Sequence, residues 1–567
     1  MKKWILGIAL ISGTTATLAQ KTALNALGNI TGNMEATFQY LNNDLLIGAI
    51  QPAERGLLNS YMNVFYQGSR FKAGIRLESY LPRINGYPNR FDGTGLGMRY
   101  AGWANDYIDI TVGHFYEQFG SGTIFRAYED RNLGYDNAMD GARVILRPYK
   151  GVQLKAVYGN QRYSFQGGRV VNSTGITRGV DFQLNFTEMF PKLDSIGLGI
   201  NVGGAFVSKY QKDDNETYIL PENVAAYSAR LGLSYKKFYV KGEYTHKDND
   251  PSDDNKYIYN SGHAALVEMG YSRKGLGISF SAKSVDNMSF RSDRTKGLAD
   301  LFINYLPAMN KTHTYNLVAT LYPYATQPLG EVAFKGEILY TIPKGKGGGK
   351  YGIPINVNYS TAYKPIQHTA GFGLPGDSSR VMYKGNPFDK SDSLMWQDIN
   401  ANVTFKVNKH LYFIGSYYNI IINNDISKVT ETAHGMISSH IGVLEIGWKI
   451  NKKHNLRTEI QALFTSNRKM YGFNYHTATD KGDWVTLVLE YTISPHWFFG
   501  FMDQYNYGNP DKSLRVHYAI GSVGWIKDAT RITVNYGRQR AGLFCVGGVC
   551  RFVPASNGLT VSLTHSF

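Results

Sequence analysis

Three arginines and five carboxylates fall within 27 residues: Glu117, Arg126, Glu129, Asp130, Arg131, Asp136, Asp140 and Arg143. A guanidinium is a planar fork of donors that matches a carboxylate in bidentate fashion, so this density of opposite charge predicts a salt-bridged element. It follows an alternating segment at Tyr107–Tyr116 and opens Glu117-Gln118-Phe119-Gly120-Ser121-Gly122. Folded into a water-filled pore, such an element would be a constriction that sets selectivity, because rings of charge in a lumen filter ions. Left outside, it would be a solvated loop. Neighbouring carboxylates such as Glu129 and Asp130 could do acid–base work. No nucleophile, base and orienting group accompany them, and the chain is not expected to be an enzyme.

Other chemistry-bearing stretches are weaker. Lys344-Gly345-Lys346-Gly347-Gly348-Gly349-Lys350-Tyr351 has its glycines misplaced for a phosphate loop, and no Ser or Thr follows the lysine. Gly93-Thr94-Gly95-Leu96-Gly97 opens a strand rather than a helix and is no dinucleotide fingerprint. The 13 histidines are dispersed without ligand spacing, so neither a metal site nor a cofactor is expected.

The elements that must position the charged stretch are strands. In the last residues Leu559, Val561, Leu563, His565 and Phe567 fall on one face, and Thr560, Ser562, Thr564 and Ser566 on the other. The same alternation recurs along the chain. Phe238, Val240, Gly242 and Tyr244 oppose Tyr239, Lys241, Glu243 and Thr245, and Leu444, Ile446, Trp448 and Ile450 oppose Val443, Glu445, Gly447 and Lys449. One apolar face and one wet, charged face suit a lipid-facing exterior and an aqueous lumen. A terminal strand closing on an aromatic resembles the closing strand and assembly signal of Gram-negative outer-membrane barrels, which assigns that role to Leu559, Val561, Leu563 and Phe567.

The start of the chain agrees. Met1-Lys2-Lys3, an apolar run from Trp4 to Ile11 and small residues through Ala19 form a secretory signal peptide with cleavage before Gln20. No later stretch approaches the roughly 20 apolar residues of a membrane helix. With 41 Tyr and 61 Gly, the composition fits aromatic girdles, to which Trp497-Phe498-Phe499 and Trp525 are assigned. In an exported chain the two cysteines, Cys545 and Cys550, read as a disulfide across a hairpin turned at Gly547-Gly548.

Net charge is +16, or +14 once Lys2 and Lys3 leave with the signal. It is scattered, which excludes a nucleic-acid patch. A basic lumen would favour anionic solutes; the alternative is a barrel with basic loops and rims.

Short polar turns such as Gln67-Gly68-Ser69-Arg70, Tyr235-Lys236-Lys237 and Asn451-Lys452-Lys453 alternate with longer stretches such as Asp248 to Lys256 and Lys364 to Ser393. These read as periplasmic turns and extracellular loops. Counting gives 25 segments, and the turn rhythm fails once between Val285 and Trp396. A strand near Leu301–Met309 would bring the number to an even 26, with 22 to 26 as the range. The expected architecture is all-β: a single-chain antiparallel transmembrane barrel over 20–567, one domain without a separate plug.

Several stretches together resemble a known family. They are Phe115 to Gly122 continuing into Arg126-Ala127-Tyr128-Glu129-Asp130-Arg131, then Asp286-Asn287-Met288-Ser289-Phe290-Arg291, Leu321-Tyr322-Pro323-Tyr324, Pro495-His496-Trp497-Phe498 and Val553-Pro554-Ala555-Ser556. The chain is similar, from about Leu27 to Phe567, to large Bacteroidota outer-membrane proteins of unknown function. The resemblance implies a barrel in the outer membrane of a Gram-negative bacterium and brings no activity with it. Outer-membrane lipid and the barrel-assembly machinery are the expected partners. Two functions remain: a pore or transporter for a polar, possibly anionic, solute, or a non-conducting scaffold or receptor that partners an envelope secretion or surface-assembly machine. An open charge-lined lumen would favour the first and a packed lumen the second.

Overall fold

The computed structural model describes residues 28–374, 377–423, 436–466, 469–470, 473–474, 482–509, 511–547 and 549–567. The expected signal peptide lies outside them. Twenty-four antiparallel strands form one sheet, each paired with its neighbours in chain order. The ring closes where the first strand, Asn29–Asn42, pairs with the last, Ser556–Ser566, from Asn33 opposite Ser566 to Asn42 opposite Asn557. Closure leaves no unpaired edge, the condition a sheet must meet in hydrocarbon. The count is inside the expected range and two below 26.

An even number of strands returns both termini to one end, and that end carries the short turns. Lys236-Lys237 joins Asn223–Tyr235 to Phe238–Lys247, and Gly68-Ser69-Arg70 joins Gly56–Gln67 to Phe71–Tyr80. Two turns are longer: 343–352, and 186–197, which makes two short helices, Phe186–Met189 and Pro191–Ser195, the first capped by Asn185, whose side chain accepts from the Thr187 and Glu188 amides.

The pleat sorts the side chains as the alternation requires. On Asn223–Tyr235, Tyr227, Leu231, Leu233 and Tyr235 are exposed, while Val224, Ala226 and Ser228 are buried. The exposed row belongs to an apolar outer belt suited to lipid. The inner face changes along its length. On Phe238–Lys247, Lys241 near the turn end is exposed, whereas Glu243, Thr245 and Lys247 toward the loop end are buried.

Three connections at the loop end fold inward, 116–138, 287–329 and 540–555; Thr123 of the first meets Glu243 and Thr245, and Lys247 is held by Ser289 of the second and by Asp250 of the loop that follows its strand. The second of these corrects the expectation of a strand at Leu301–Met309. There the chain makes turns and a single bridge between Phe302 and Arg291, and Leu301, Ile303 and Leu306 are buried. It has only apolar content in common with a strand; its partners are the other inserts and the wall. This insertion is what breaks the turn rhythm. A second difference lies at Lys364–Ser393, expected as a loop. Its residues continue a hairpin of Ile353–Leu374 with Asp377–Lys406, whose pairing shifts register five times. Bulges tolerate the polar and proline-containing sequence that otherwise reads as loop.

Candidate functional site

The insert 116–138 is built from two small ladders, Glu117–Phe119 with Phe125–Ala127 and Glu129–Asp130 with Tyr135–Asp136. Phe119, Ile124 and Phe125 are shut off from solvent and pack with Phe290 and Ile303 of the second insert and with Val157, Val207 and Val224 of the wall. Full burial of each such side chain contributes about 1.5–3 kcal/mol. The turn that joins the two strands of the first ladder places Gly120 at φ 54°, and a Cβ there would come 2.5 Å from Arg230 Cδ. Polar contacts fix the same turn. Thr123 Oγ1 lies 2.6 Å from Glu243 Oε1 and 2.7 Å from Thr245 Oγ1, and the Ser121 amide donates to Glu243 Oε2 at 2.9 Å.

Around this scaffold the predicted charges meet wall residues from distant strands. Arg76 reaches three carboxylates at once: Nε to Glu78 Oε1 at 2.8 Å, Nη1 to Glu129 Oε2 at 2.8 Å and Nη2 to Asp136 Oδ2 at 3.0 Å. Asp136 is shared with Arg162 at 2.8 Å and accepts from the Tyr116 hydroxyl at 3.0 Å. Arg131 bridges Glu129 at 3.0 Å and Glu35 at 2.7 Å, with its guanidinium 4.3 Å from the centre of the Tyr61 ring. Burial works against the Arg131 charge, but Glu129 and Glu35 outweigh it and hold the group above its ordinary value. Burial, with Asp136 and Glu129 beside it, pushes the Tyr116 phenol well above its usual range, so it stays a neutral donor.

A second cluster holds Glu117 between Arg143 at 3.4 Å and Lys155 at 2.8 Å, with Arg143 also 3.3 Å from Asp109. The predicted stretch therefore divides. Glu129, Arg131 and Asp136 converge on Arg76; Glu117 and Arg143 converge near Asp109. Asp140 stands apart, 3.6 Å from Arg99 and accepting from Asn172 at 3.0 Å. Asp130 caps its own turn by accepting from the Asn132 and Leu133 amides. Arg126 pairs with no carboxylate among the described residues and lies between the Tyr128 and Tyr305 rings, 4.2 and 4.1 Å from their centres.

The second insert adds what the sequence reading missed. Its helix, Asn316–Leu321, buries Leu317, Val318 and Leu321 against an apolar patch of the inner wall that includes Trp396, Ile420, Ile441 and Leu463. Around it, Lys311 meets Glu337 at 3.2 Å, His313 meets Asp398 at 2.7 Å and the Leu317 amide donates to Gln461 at 3.0 Å. At its base Lys283 pairs with Glu331 at 2.7 Å, both closed to solvent. A signal was present: Ile420-Ile421-Ile422 is apolar on both faces of a strand, which marks burial on both. The third insert is the hairpin Gly542–Val546 with Val549–Val553, crossed by the Cys545–Cys550 disulfide, and Gly547 O accepts from the Tyr305 hydroxyl at 2.8 Å.

A cavity of about 650 Å³ remains beside the first insert. Four cations, Lys72, Arg76, Arg131 and Arg143, and two carboxylates, Glu35 and Glu129, line it together with His114 and Tyr116. His114 Nε2 is buried there without a hydrogen-bond partner. Among the described residues, no group of three His, Cys, Asp or Glu could hold a metal ion.

The model of a family of unknown function, DUF6029, matches residues 1–567. No curated protein matches the chain. Among solved structures, the siderophore receptor PirA from Pseudomonas aeruginosa is similar at 10% identity and a TM-score of 0.39, over 95% of this chain and 81% of that one. The FrpB iron transporter from Neisseria meningitidis gives 10% and 0.37 over 96% and 83%. The ferric yersiniabactin receptor FyuA from Yersinia pestis gives 9% and 0.37 over 95% and 80%.

Proposed function

The chain belongs to the DUF6029 family of unknown function along its whole length, and we propose from its geometry that it is an outer-membrane transport barrel, closed at rest, for a polar anionic solute. The closed ring and its apolar outer belt support the outer membrane of a Gram-negative cell as its place, and the motif resemblance supports a Bacteroidota source. The observation that carries the transport reading is the 650 Å³ cavity, whose lining holds four cations against two carboxylates. Each of these cations is already met by carboxylates, Lys72 and Arg143 by Asp109, Arg76 by Glu78, Glu129 and Asp136, and Arg131 by Glu35 and Glu129, so an anionic solute would bind there by taking over their ammonium and guanidinium donors. The first insert, which borders this cavity, meets the wall partly through ion pairs and hydroxyl contacts, and these can be exchanged for contacts to a charged solute. The constriction in this reading is the Arg76, Glu129, Arg131 and Asp136 group, with Glu117 and Arg143 beside it.

A second reading has its own support. The apolar seat of Asn316–Leu321 resembles a permanent core rather than a gate, as a non-conducting scaffold or receptor with an envelope partner would need. A reversible lock separates the two. Thr123 and Thr245 hydroxyls lie 2.7 Å apart, so a Thr123→Cys/Thr245→Cys variant ties the first insert to the wall. In planar bilayers with potassium chloride, the transport reading expects anion-selective openings from the unmodified barrel. The locked variant should be silent until reductant is added, with reductant on the unmodified barrel as the control for Cys545–Cys550. Silence from both proteins under all conditions would remove the transport reading in favour of the scaffold.

A further inference from the structure

The positive charge is not spread evenly round the barrel. Five successive turns, at 236–237, 274–275, 343–352, 407–410 and 450–453, join ten of the 24 strands at the end that carries the termini. Lys236 and Lys237 fill the first, and Arg273 and Lys274 make the second. Lys344, Lys346 and Lys350 lie in the third, Lys409 in the fourth, Lys452 and Lys453 in the fifth. All are exposed, and the five turns contain no Asp or Glu. The turns at 68–70, 105–107, 150–151 and 186–197 differ: Arg70, Lys150 and Lys192 are matched there by Asp106, Glu188 and Asp194.

Strands lie about 4.8 Å apart, so successive turns stand about 10 Å from one another. That is close to the Debye length of about 8 Å at physiological salt, and the fields of neighbouring turns overlap. The level of the collar is set by the rings next to it. Tyr235 and Phe238 flank Lys236-Lys237 and are 50% and 60% exposed, with Lys236 Nζ 4.9 Å from the Tyr235 ring centre. Phe405 precedes the fourth turn, and Trp448 and Ile450 precede Lys452; all three are exposed. Exposed rings at strand ends settle at the headgroup region. Turns of two to four residues keep most of the cations at that level, where phosphates lie, rather than out in the aqueous space where a soluble acidic protein would dock.

We propose that this arc binds anionic phospholipid headgroups of the leaflet on the turn side, which in an outer membrane is the periplasmic one. The proposal rests on the outer-membrane reading but not on conduction. Full-length barrel, delipidated in neutral detergent, is incubated with equal amounts of phosphatidylglycerol and phosphatidylethanolamine, and retained lipids are counted by native mass spectrometry. Phosphatidylglycerol should be retained in preference, less so as sodium chloride is raised. A variant carrying Lys344→Gln, Lys346→Gln, Lys350→Gln, Lys452→Gln and Lys453→Gln should hold it about tenfold or more weakly, since each cation near a surface contributes to the attraction. Lys150→Gln/Lys192→Gln, on the balanced arc, should retain it as the unmodified barrel does. Equal retention of the two lipids, no response to salt, or a five-site variant indistinguishable from the unmodified barrel overturns the proposal and leaves the collar to an acidic partner. The salt response needs no variant, and a barrel that conducts yet shows no lipid preference fails this inference alone.

Discussion

Arg162 and Glu78, 84 residues apart in the chain, meet on the inner wall with Nη2 2.6 Å from Oε2, and neither side chain has more than 1% of its surface open to solvent. Glu78 also accepts from Arg76 Nε and from the Tyr80 hydroxyl. Removing one partner of a buried pair costs about 3–5 kcal/mol, because the other charge stays buried without compensation. Glu78→Ala should therefore lower the urea midpoint of barrel unfolding, read from the heat-modifiable band. The double variant Glu78→Leu/Arg162→Leu should lose less than Glu78→Ala alone. A single variant with an unchanged midpoint would show that water reaches this pair.

Phe567 closes the ring against Gly32. The two residues exchange backbone hydrogen bonds, both at 2.9 Å, and the Phe567 ring lies over the glycine so closely that a Cβ at Gly32 would fall 2.3 Å from Cζ. Leu559, Val561 and Leu563 continue the outward row beside Ile532, Val534 and Tyr536. Deleting Phe567 is expected to reduce the amount of folded, heat-modifiable barrel in the outer membrane. Gly32→Val should do the same by displacing the ring. Normal yields of both would argue against an assembly role for this row.

The wall was legible because a strand repeats every two residues, and the apolar row of Leu559, Val561 and Leu563 shows its outward face without help from the rest of the chain. The turns were legible for the same local reason. The lumen was harder. Glu129 and Asp136 announced themselves as charges in a dense stretch, but their principal partner, Arg76, sits in an ordinary-looking strand, and so do Glu78 and Arg162. A contact between strands far apart in sequence leaves no local spacing to read. The helix at Asn316–Leu321 was hidden by its brevity, since six residues are too few to show a helical period. Leu301–Met309 misled for the converse reason: a buried irregular segment and a strand can carry the same apolar content.

The Cys545–Cys550 bridge closes a loop with a sequence separation of 5. A loop that short gives a stabilisation of about 2 kcal/mol in the chain-entropy picture, and the hairpin lies outside the 24-strand sheet. Cys545→Ser/Cys550→Ser should leave the barrel folded and loosen only this insert. Hydrogen exchange should quicken in Gly542–Val553 while the paired strands keep their protection. Loss of the heat-modifiable band instead would mean that the hairpin is needed to form the ring.

Arg131 offers the sharpest test of the cavity as the selective element. Its guanidinium joins the insert to the first strand through Glu35 and lies against Tyr61, so a change of charge there acts inside the cavity. The lining holds four cations and two carboxylates. Arg131→Gln leaves three against two, and Arg131→Glu leaves three against three. If conduction passes this point, the preference for anions, measured as the reversal potential across a potassium chloride gradient, should shrink with the first substitution and shrink further with the second. Because Arg131→Glu also sets a third carboxylate beside Glu35 and Glu129, the insert should be held less firmly and openings should lengthen. Arg178, near the loop end and bonded to the Asn223 side chain at 2.8 Å, is the comparison: Arg178→Glu should leave the reversal potential near that of the unmodified barrel. Equal effects at the two positions would assign selectivity to the overall charge of the barrel rather than to this cavity.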